Sequence, residues 1–346
     1  MCSGEGRSPV SFDEEAEGTG LRPPPEHSLA HILNRLAPTG RLGVAVSGGP
    51  DSLALLLLCA RARPGRVLAA TVDHGLRAGS ASEAAAVAAI CARLDVPHET
   101  LVVTVEDGAS LQARARAARY AALGGWAARH ELGAVATAHH ADDQAETLMM
   151  RLARGSGIGG VAGVREVRAL AGEILLVRPL LGQRKAALES LVREAGIAAL
   201  DDPANRDPRH DRTRFRALLA REKALDPVRL ARSAAALGEA EEALGWSVER
   251  LIAERVRREG ATVVIDPAGL PAEYRRRLLR HALGGAVDGP SLDGPSLDGP
   301  SVERALARLE QGDRCTLGAW QLQGGASWRL EPAPPRRTTR SEADQS

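Results

Sequence analysis

Leu42-Gly43-Val44-Ala45-Val46-Ser47-Gly48-Gly49-Pro50-Asp51-Ser52 is the stretch on which the fold turns. An apolar run leads into a Gly-Gly pair, and a second apolar run, Leu53 to Ala60, follows directly. That order reads as buried strand, tight turn and helix. The glycines let the backbone approach a ligand closely. A helix beginning near Asp51 aims unpaired amides and its positive dipole end back into the turn. Such a turn binds phosphate. The spacing G-x-x-x-x-G-K-S/T is absent and no lysine is near, so this is not the usual mononucleotide loop. An ordinary serine-capped turn is the bland alternative.

Outward from the turn, strand and helix patterns alternate. Strands read over 42–46, 67–72, 99–103 and 134–138, with helices from Ser52, over 82–94, over 110–130 and from Asp142. Continuously apolar strands separated by helices predict an α/β fold, a parallel sheet with helices on both faces. Ligands of such sheets lie beyond the carboxyl ends of the strands, where strand order switches. Ser47, then Asp73-His74-Gly75, then His139-His140 with Asp142-Asp143 all fall at those ends.

The chain has 346 residues, enough for one large and one smaller domain. Residues 1–26 read as a disordered tail, 27–216 as the catalytic domain, and 217–330 as a smaller, mostly helical C-terminal domain. That last part shows a helical stretch to about Glu259, a short strand at 262–266 and a helix around 272–283. Asp-Gly-Pro-Ser-Leu repeats with period five across 288–301, the composition of a flexible insertion, and 331–346 reads as a second tail.

A net charge of +1 means that any nucleic-acid partner must be met by a local basic patch. All but two of the 45 basic residues are arginine, a bias spread over the whole chain that cannot mark a site. Cys2, Cys59, Cys91 and Cys315 form no C-x-x-C pair, which suits a reduced, cytoplasmic protein. The longest apolar run, 53–60, is too short to span a bilayer, and no secretory signal is evident.

The second constellation is Thr137-Ala138-His139-His140-Ala141-Asp142-Asp143-Gln144-Ala145-Glu146-Thr147. Asp142 and Asp143 stand at a helix start, and Asp142 and Glu146 share a face at i, i+4. Such carboxylates can hold Mg²⁺ against ATP phosphates, since magnesium takes one or two carboxylates besides phosphate and water. A capped, solvated helix start is the alternative. Zinc is a weak reading, because adjacent histidines diverge and no i, i+4 histidine pair follows.

Ser47 to Ser52 resembles the S-G-G-x-D-S loop of the ATP pyrophosphatases. Five further motifs follow it: Val72 to Arg77, Ala118-Arg119-Tyr120, His139 to Thr147, Arg151 to Gly157, and Val177-Arg178-Pro179-Leu180-Leu181. Over residues 40–216 this order is similar to that of the tRNA(Ile)-lysidine synthases. Asp201-Asp202-Pro203-Ala204-Asn205 and Arg212-Thr213-Arg214-Phe215-Arg216 are similar to the family's D-x-S/T-N and R-N-x-x-R segments, with departures at Ala204 and Thr213.

The resemblance implies a PP-loop fold and a two-step reaction. An oxygen of the wobble cytidine in a tRNA(Ile) with a CAU anticodon attacks the α-phosphate of ATP, and free lysine then displaces AMP. The product, lysidine, reads AUA instead of AUG. By the same resemblance Ser47, Gly48, Gly49, Pro50, Asp51 and Ser52 hold ATP. Asp51, Asp73, His139, Asp142, Asp143, Glu146 and Arg178 are the catalytic candidates, with Mg²⁺ at Asp142 and Asp143. Arg119, Arg154, Asp202, Asn205, Arg212 and Arg216 are candidates for binding the tRNA, and the resemblance implies that the C-terminal domain, 217–330, contacts it as well. No protein partner and no membrane are implied, and a homodimer is compatible.

Three rivals share parts of this pattern. A tRNA thiolase shares the loop and the His-Asp-Asp run but commonly uses paired cysteines, which this chain lacks. A small-molecule amidating synthetase, such as one making NAD, would leave 178–181 and 205–216 unexplained. A nucleotide-binding regulator without turnover would not need the carboxylates at 73, 142, 143 and 146.

Overall fold

A computed structural model describes residues 25–38, 40–75, 79–105, 111–200, 211–284 and 299–334. Of the expected tails at 1–26 and 331–346 and the expected insertion at 288–301, residues 1–24, 335–346 and 288–298 lie outside the described residues, as do Asp202 and Asn205; the remainder falls in or beside the first helix, the last strand and the helix that begins at Gly299. In chain order the elements begin with α1 (Pro25–Leu36), β1 (Leu42–Ala45), α2 (Pro50–Ala62), β2 (Val67–Asp73), α3 (Ser80–Arg93), β3 (His98–Val102) and α4 (Leu111–Arg129). Next come β4 (Ala134–Ala136), α5 (Ala141–Ala153), α6 (Ile158–Val161), β5 (Val167–Ala171), β6 (Ile174–Val177), α7 (Lys185–Glu194) and α8 (Asp211–Arg221). The chain continues through α9 (Pro227–Arg255), β7 (Val256–Glu259), β8 (Thr262–Ile265), α10 (Ala272–Ala282), α11 (Gly299–Glu310), β9 (Arg314–Leu317), β10 (Trp320–Gln323) and β11 (Trp328–Pro332). Helix α1 takes in Pro25, because a proline's fixed φ suits a first helical position.

The described residues of 25–146 and 165–231 make one compact unit, and those of 147–164 and 232–334 make another. The sequence reading placed a boundary after 216. The observed division falls later, with α8 in the first unit, and it assigns 147–164 to the second. Among the described residues no helix is long and apolar enough to cross a membrane.

In the first unit six strands form one sheet in the order β3-β2-β1-β4-β6-β5. All neighbours are parallel except β5, which returns antiparallel along β6 with a register shift between Ala169 and Ala171. The chain runs outward from β1 through β2 to β3 and then crosses to β4 on the other side, so β1 and β4 flank the switch in strand order. Both are buried along their whole length, which their unbroken apolar sequences require.

Helix α2 is buried from Ser52 to Cys59. It is apolar all round because it packs in one core with Leu29 and Leu33 of α1, the sheet, and Leu188 and Val192 of α7. The other face of the sheet is covered by Leu123, Trp126 and Ala127 of α4. Gly43 makes room for that helix: a Cβ there would lie 2.6 Å from Trp126 Cζ3. With Trp126 fully buried, Trp126→Ala should cost about 3–5 kcal/mol.

The second unit holds a five-stranded antiparallel sheet, β7-β8-β11-β10-β9. Val263, Ile265, Trp328 and Leu330 pack there against Val248, Leu278 and Leu306. Sequence reading anticipated only the 262–266 strand. Strand β7 is Val-Arg-Arg-Glu, whose composition reads as helix, and the others are four or five residues long with polar residues interspersed.

Candidate active site

The loop after β1 is held closed by its two serines. Ser52 Oγ donates to the Gly49 carbonyl at 2.9 Å and accepts the Ser47 amide at 3.1 Å and the Ser47 hydroxyl at 3.3 Å. Gly48 has φ +85°, and a Cβ on it would lie 2.4 Å from Leu200 Cδ1, so only glycine fits. Gly49 caps α2 with no side-chain bond, and Pro50 occupies the first turn. The first-turn amides therefore point at the loop with no side chain capping them, the arrangement that receives a phosphate.

This loop forms one end of a cleft of about 830 Å³, the size of a nucleotide site. Asp73 and His74 from the end of β2, His139 from the end of β4, and Arg119 from α4 line it too. So do Asp143 of α5 and Lys185 and Glu189 of α7. Arg212 and Arg216, one turn apart on α8, complete the lining. The carboxylate of Asp73 accepts the Gly75 amide at 2.8 Å. That bond, followed by one from the Ser80 hydroxyl, holds its pKa below the usual value and keeps it ionised.

The start of α5 is capped reciprocally. Asp143 Oδ2 accepts the His140 amide at 3.1 Å, and His140 Nδ1 accepts the Asp143 amide at 3.3 Å, a capping box with histidine in place of serine. His140 is buried and faces Asp51 and Asp143 at 3.5 Å each and Asp142 at 3.8 Å. Burial works against its charge, but a bond to Asp51 and the three carboxylates outweigh it and raise the pKa.

His139, one residue earlier, has the opposite environment. Burial, then Arg178, Arg119, Arg116 and Arg212, push its pKa down to about 3. Its Nδ1 lies 3.1 Å from Thr137 Oγ1. It is a neutral hydrogen-bonding imidazole at physiological pH, with little affinity for a proton.

Besides Gly48, whose neighbours in the loop line the cleft, four of the expected residues stand away from the cleft lining. Glu146 is 2% exposed and receives Arg212 Nε and Arg216 Nε at 2.7 Å each, so it anchors α8. Asp142 accepts the Lys185 amide at 2.8 Å and Arg184 Nε at 3.3 Å, tying the start of α7 to α5. Arg178 is 2% exposed and donates to the Arg165 carbonyl instead of facing the cleft. Arg154 is exposed and belongs to the second unit. Lys185 and Glu189 are cleft residues that the sequence reading did not single out, signalled only by their nearness to 178–181; His74, named there only as part of its motif, also lines the cleft.

Asp51 Oδ1 is buried without a hydrogen-bond partner, and Asp51 and Asp143 both present hard oxygens to the cleft. Among the described residues no group of three or more His, Cys, Asp or Glu side chains makes a closed cage. Such a donor set suits Mg²⁺, which keeps waters and phosphate oxygens and takes one or two carboxylates.

Residues 22–223 match the family model described as the PP-loop domain. The tRNA(Ile)-lysidine synthase of Novosphingobium aromaticivorans is 47% identical over 315 residues, covering 88% of this chain and 93% of that relative. The tRNA(Ile)-lysidine synthase of Zymomonas mobilis is 43% identical, with 86% of this chain and 90% of the relative covered. Among solved structures, the U34-tRNA thiolase NcsA from Methanococcus maripaludis is similar in fold, with a TM-score of 0.51 at 16% identity over 62% of this chain and 78% of that one. The serine-closed glycine loop at a strand-order switch and these likenesses agree: the chain belongs to the tRNA(Ile)-lysidine synthase family of PP-loop enzymes.

Proposed function

We propose that the protein joins free lysine to the wobble cytidine of a tRNA(Ile) bearing a CAU anticodon, consuming ATP to AMP and pyrophosphate. The observation that carries this reading is one cleft holding both an uncapped phosphate loop and a row of carboxylates. The first feature suits a nucleotide's phosphates, and the second suits a cationic amine.

In the first step a base oxygen attacks the α-phosphorus of ATP, the bond to the β-phosphate oxygen breaks, and pyrophosphate leaves with the bonding pair. Loop amides at Ser47 to Ser52 and the dipole of α2 stabilise the charge on the departing phosphates. Asp51 and Asp143 would hold Mg²⁺, which neutralises phosphate charge when bound. In the second step the lysine amine attacks the adenylated base carbon and AMP leaves. Asp73 and Asp143 meet the incoming ammonium, and a carboxylate takes the proton that the amine must lose. Arg212 and Arg216, positioned by Glu146, hold substrate phosphate, and His139 serves as a neutral hydrogen-bonding group. The product reads AUA in place of AUG.

Transfer of labelled lysine, with ATP, onto an unmodified tRNA(Ile) transcript carrying CAU tests the reading, with elongator tRNA(Met) of the same anticodon as control. Incorporation into the first alone supports it. ATP cleaved to AMP without incorporation into either would direct attention to another substrate of the same chemistry.

A further inference from the structure

Beside the cleft, the Tyr120 ring carries two guanidinium groups. Arg168 Cζ of β5 lies 4.4 Å from the ring centroid and Arg116 Cζ of α4 lies 5.0 Å from it. Arg178, almost fully buried, adds a third cation whose side chain bonds the Tyr120 hydroxyl. Its Nε is buried without a partner. Among the described residues no carboxylate pairs with Arg116, Arg168 or Arg178, although the chain carries nearly as many acidic as basic residues. A ring face fixes a guanidinium in place but leaves its charge and its fork of donors unspent, unlike a salt bridge.

We propose that Arg116 and Arg168, mounted on the Tyr120 ring, form a clamp for the RNA phosphate backbone beside the cleft. The inference rests on the reading of tRNA as substrate and locates part of its seat. Neither arginine lines the cleft itself, so the nucleotide is not the anion they serve. Arg119, between them in sequence and facing the cleft, links the two surfaces. Gathering like charges without counter-charge is unfavourable by itself, and a polyanion relieves it. Two neighbours feel this field. Burial raises the Tyr120 pKa, yet Arg116, Arg119, Arg178 and Arg168 together pull it below the ordinary value. Burial, then Arg178, Arg119 and Arg116, keep His139 neutral.

The test uses the full chain and an unmodified tRNA(Ile) transcript, with filter binding across a series of NaCl concentrations. Arg168→Ala and Arg116→Ala should each weaken binding severalfold and lower the slope of log K against log salt by about one. They should raise KM for tRNA while leaving KM for ATP, KM for lysine and the melting temperature unchanged. Tyr120→Phe should keep the clamp and Tyr120→Leu should lose it. If Arg168→Ala and Arg116→Ala match the wild type in salt slope and tRNA KM, the clamp is refuted while the function stands. Wild-type protein that neither binds nor modifies tRNA overturns both.

Discussion

The carbonyl of Gly48 accepts the amide of Leu200 at 2.9 Å, so the phosphate loop is pinned from outside by the segment that follows α7. Gly48→Ala should therefore act through stability. A non-glycine residue at φ +85° costs about 1–2 kcal/mol, and the 2.4 Å approach to Leu200 adds to it. Gly49→Ala meets nothing nearer than Ser47 Oγ at 3.8 Å and should cost about 1 kcal/mol or less at this cap position. Urea unfolding of the two variants checks the order.

Glu146 and its two arginines predict an asymmetric response. Removing Arg212 and Arg216 together strands a carboxylate that is 2% exposed and should destabilise by about 3–5 kcal/mol. Glu146→Gln leaves arginines that reach solvent and should cost less. Equal losses in chemical denaturation would contradict the anchoring role. In both cases KM for tRNA should rise, because α8 loses its attachment.

Asp142 and Asp51 should separate by assay. Asp142→Ala removes the acceptor of the Lys185 amide and should lower stability by about 1 kcal/mol, with activity reduced only moderately. Asp51→Asn removes a carboxylate whose Oδ1 has no protein partner. Its other oxygen faces His140 at 3.5 Å, so the melting temperature should fall slightly, while turnover falls on the order of 100-fold. An Asp51→Asn enzyme of wild-type activity would remove this carboxylate from the mechanism.

His139 gives a pH prediction. Its pKa is about 3 in the folded protein against an ordinary 6.5, so the unfolded chain binds a proton that the folded one refuses. Stability from this group is complete above pH 6.5 and declines as pH falls towards 3. Between pH 6.5 and 5, before most carboxylates titrate, wild-type melting temperature should fall more steeply than that of His139→Asn. Parallel curves would show that the imidazole is not held neutral.

The glycine loop and the strands around it were legible because β1 and β4 are buried on both faces and their apolar runs are unbroken. The β5–β6 hairpin was not, because β5 is a half-buried edge strand carrying Arg168 among small residues. Asp142 and Asp143 could not be told apart in sequence. Neighbours on a helix diverge by about 100°, and only the structure shows that one faces α7 and the other the cleft. Adjacent His139 and His140 differ for the same reason, one among arginines and the other among aspartates. Arg178 was expected among the catalytic residues, yet nothing in its sequence neighbours reveals that its guanidinium donates to the Arg165 carbonyl.

The register shift in β5 also governs how this sheet ends. An edge strand with a long, regular row of free amides invites another chain to add to it, and a break in the ladder removes that template. Here the break falls between Ala169 and Ala171, two residues along the strand from Arg168. On the opposite margin β3 has five residues, with Glu99 held by Arg129 and His130. Neither margin offers a flat apolar ribbon, so a sheet whose strand ends open into a cleft is guarded against polymerising through its sides.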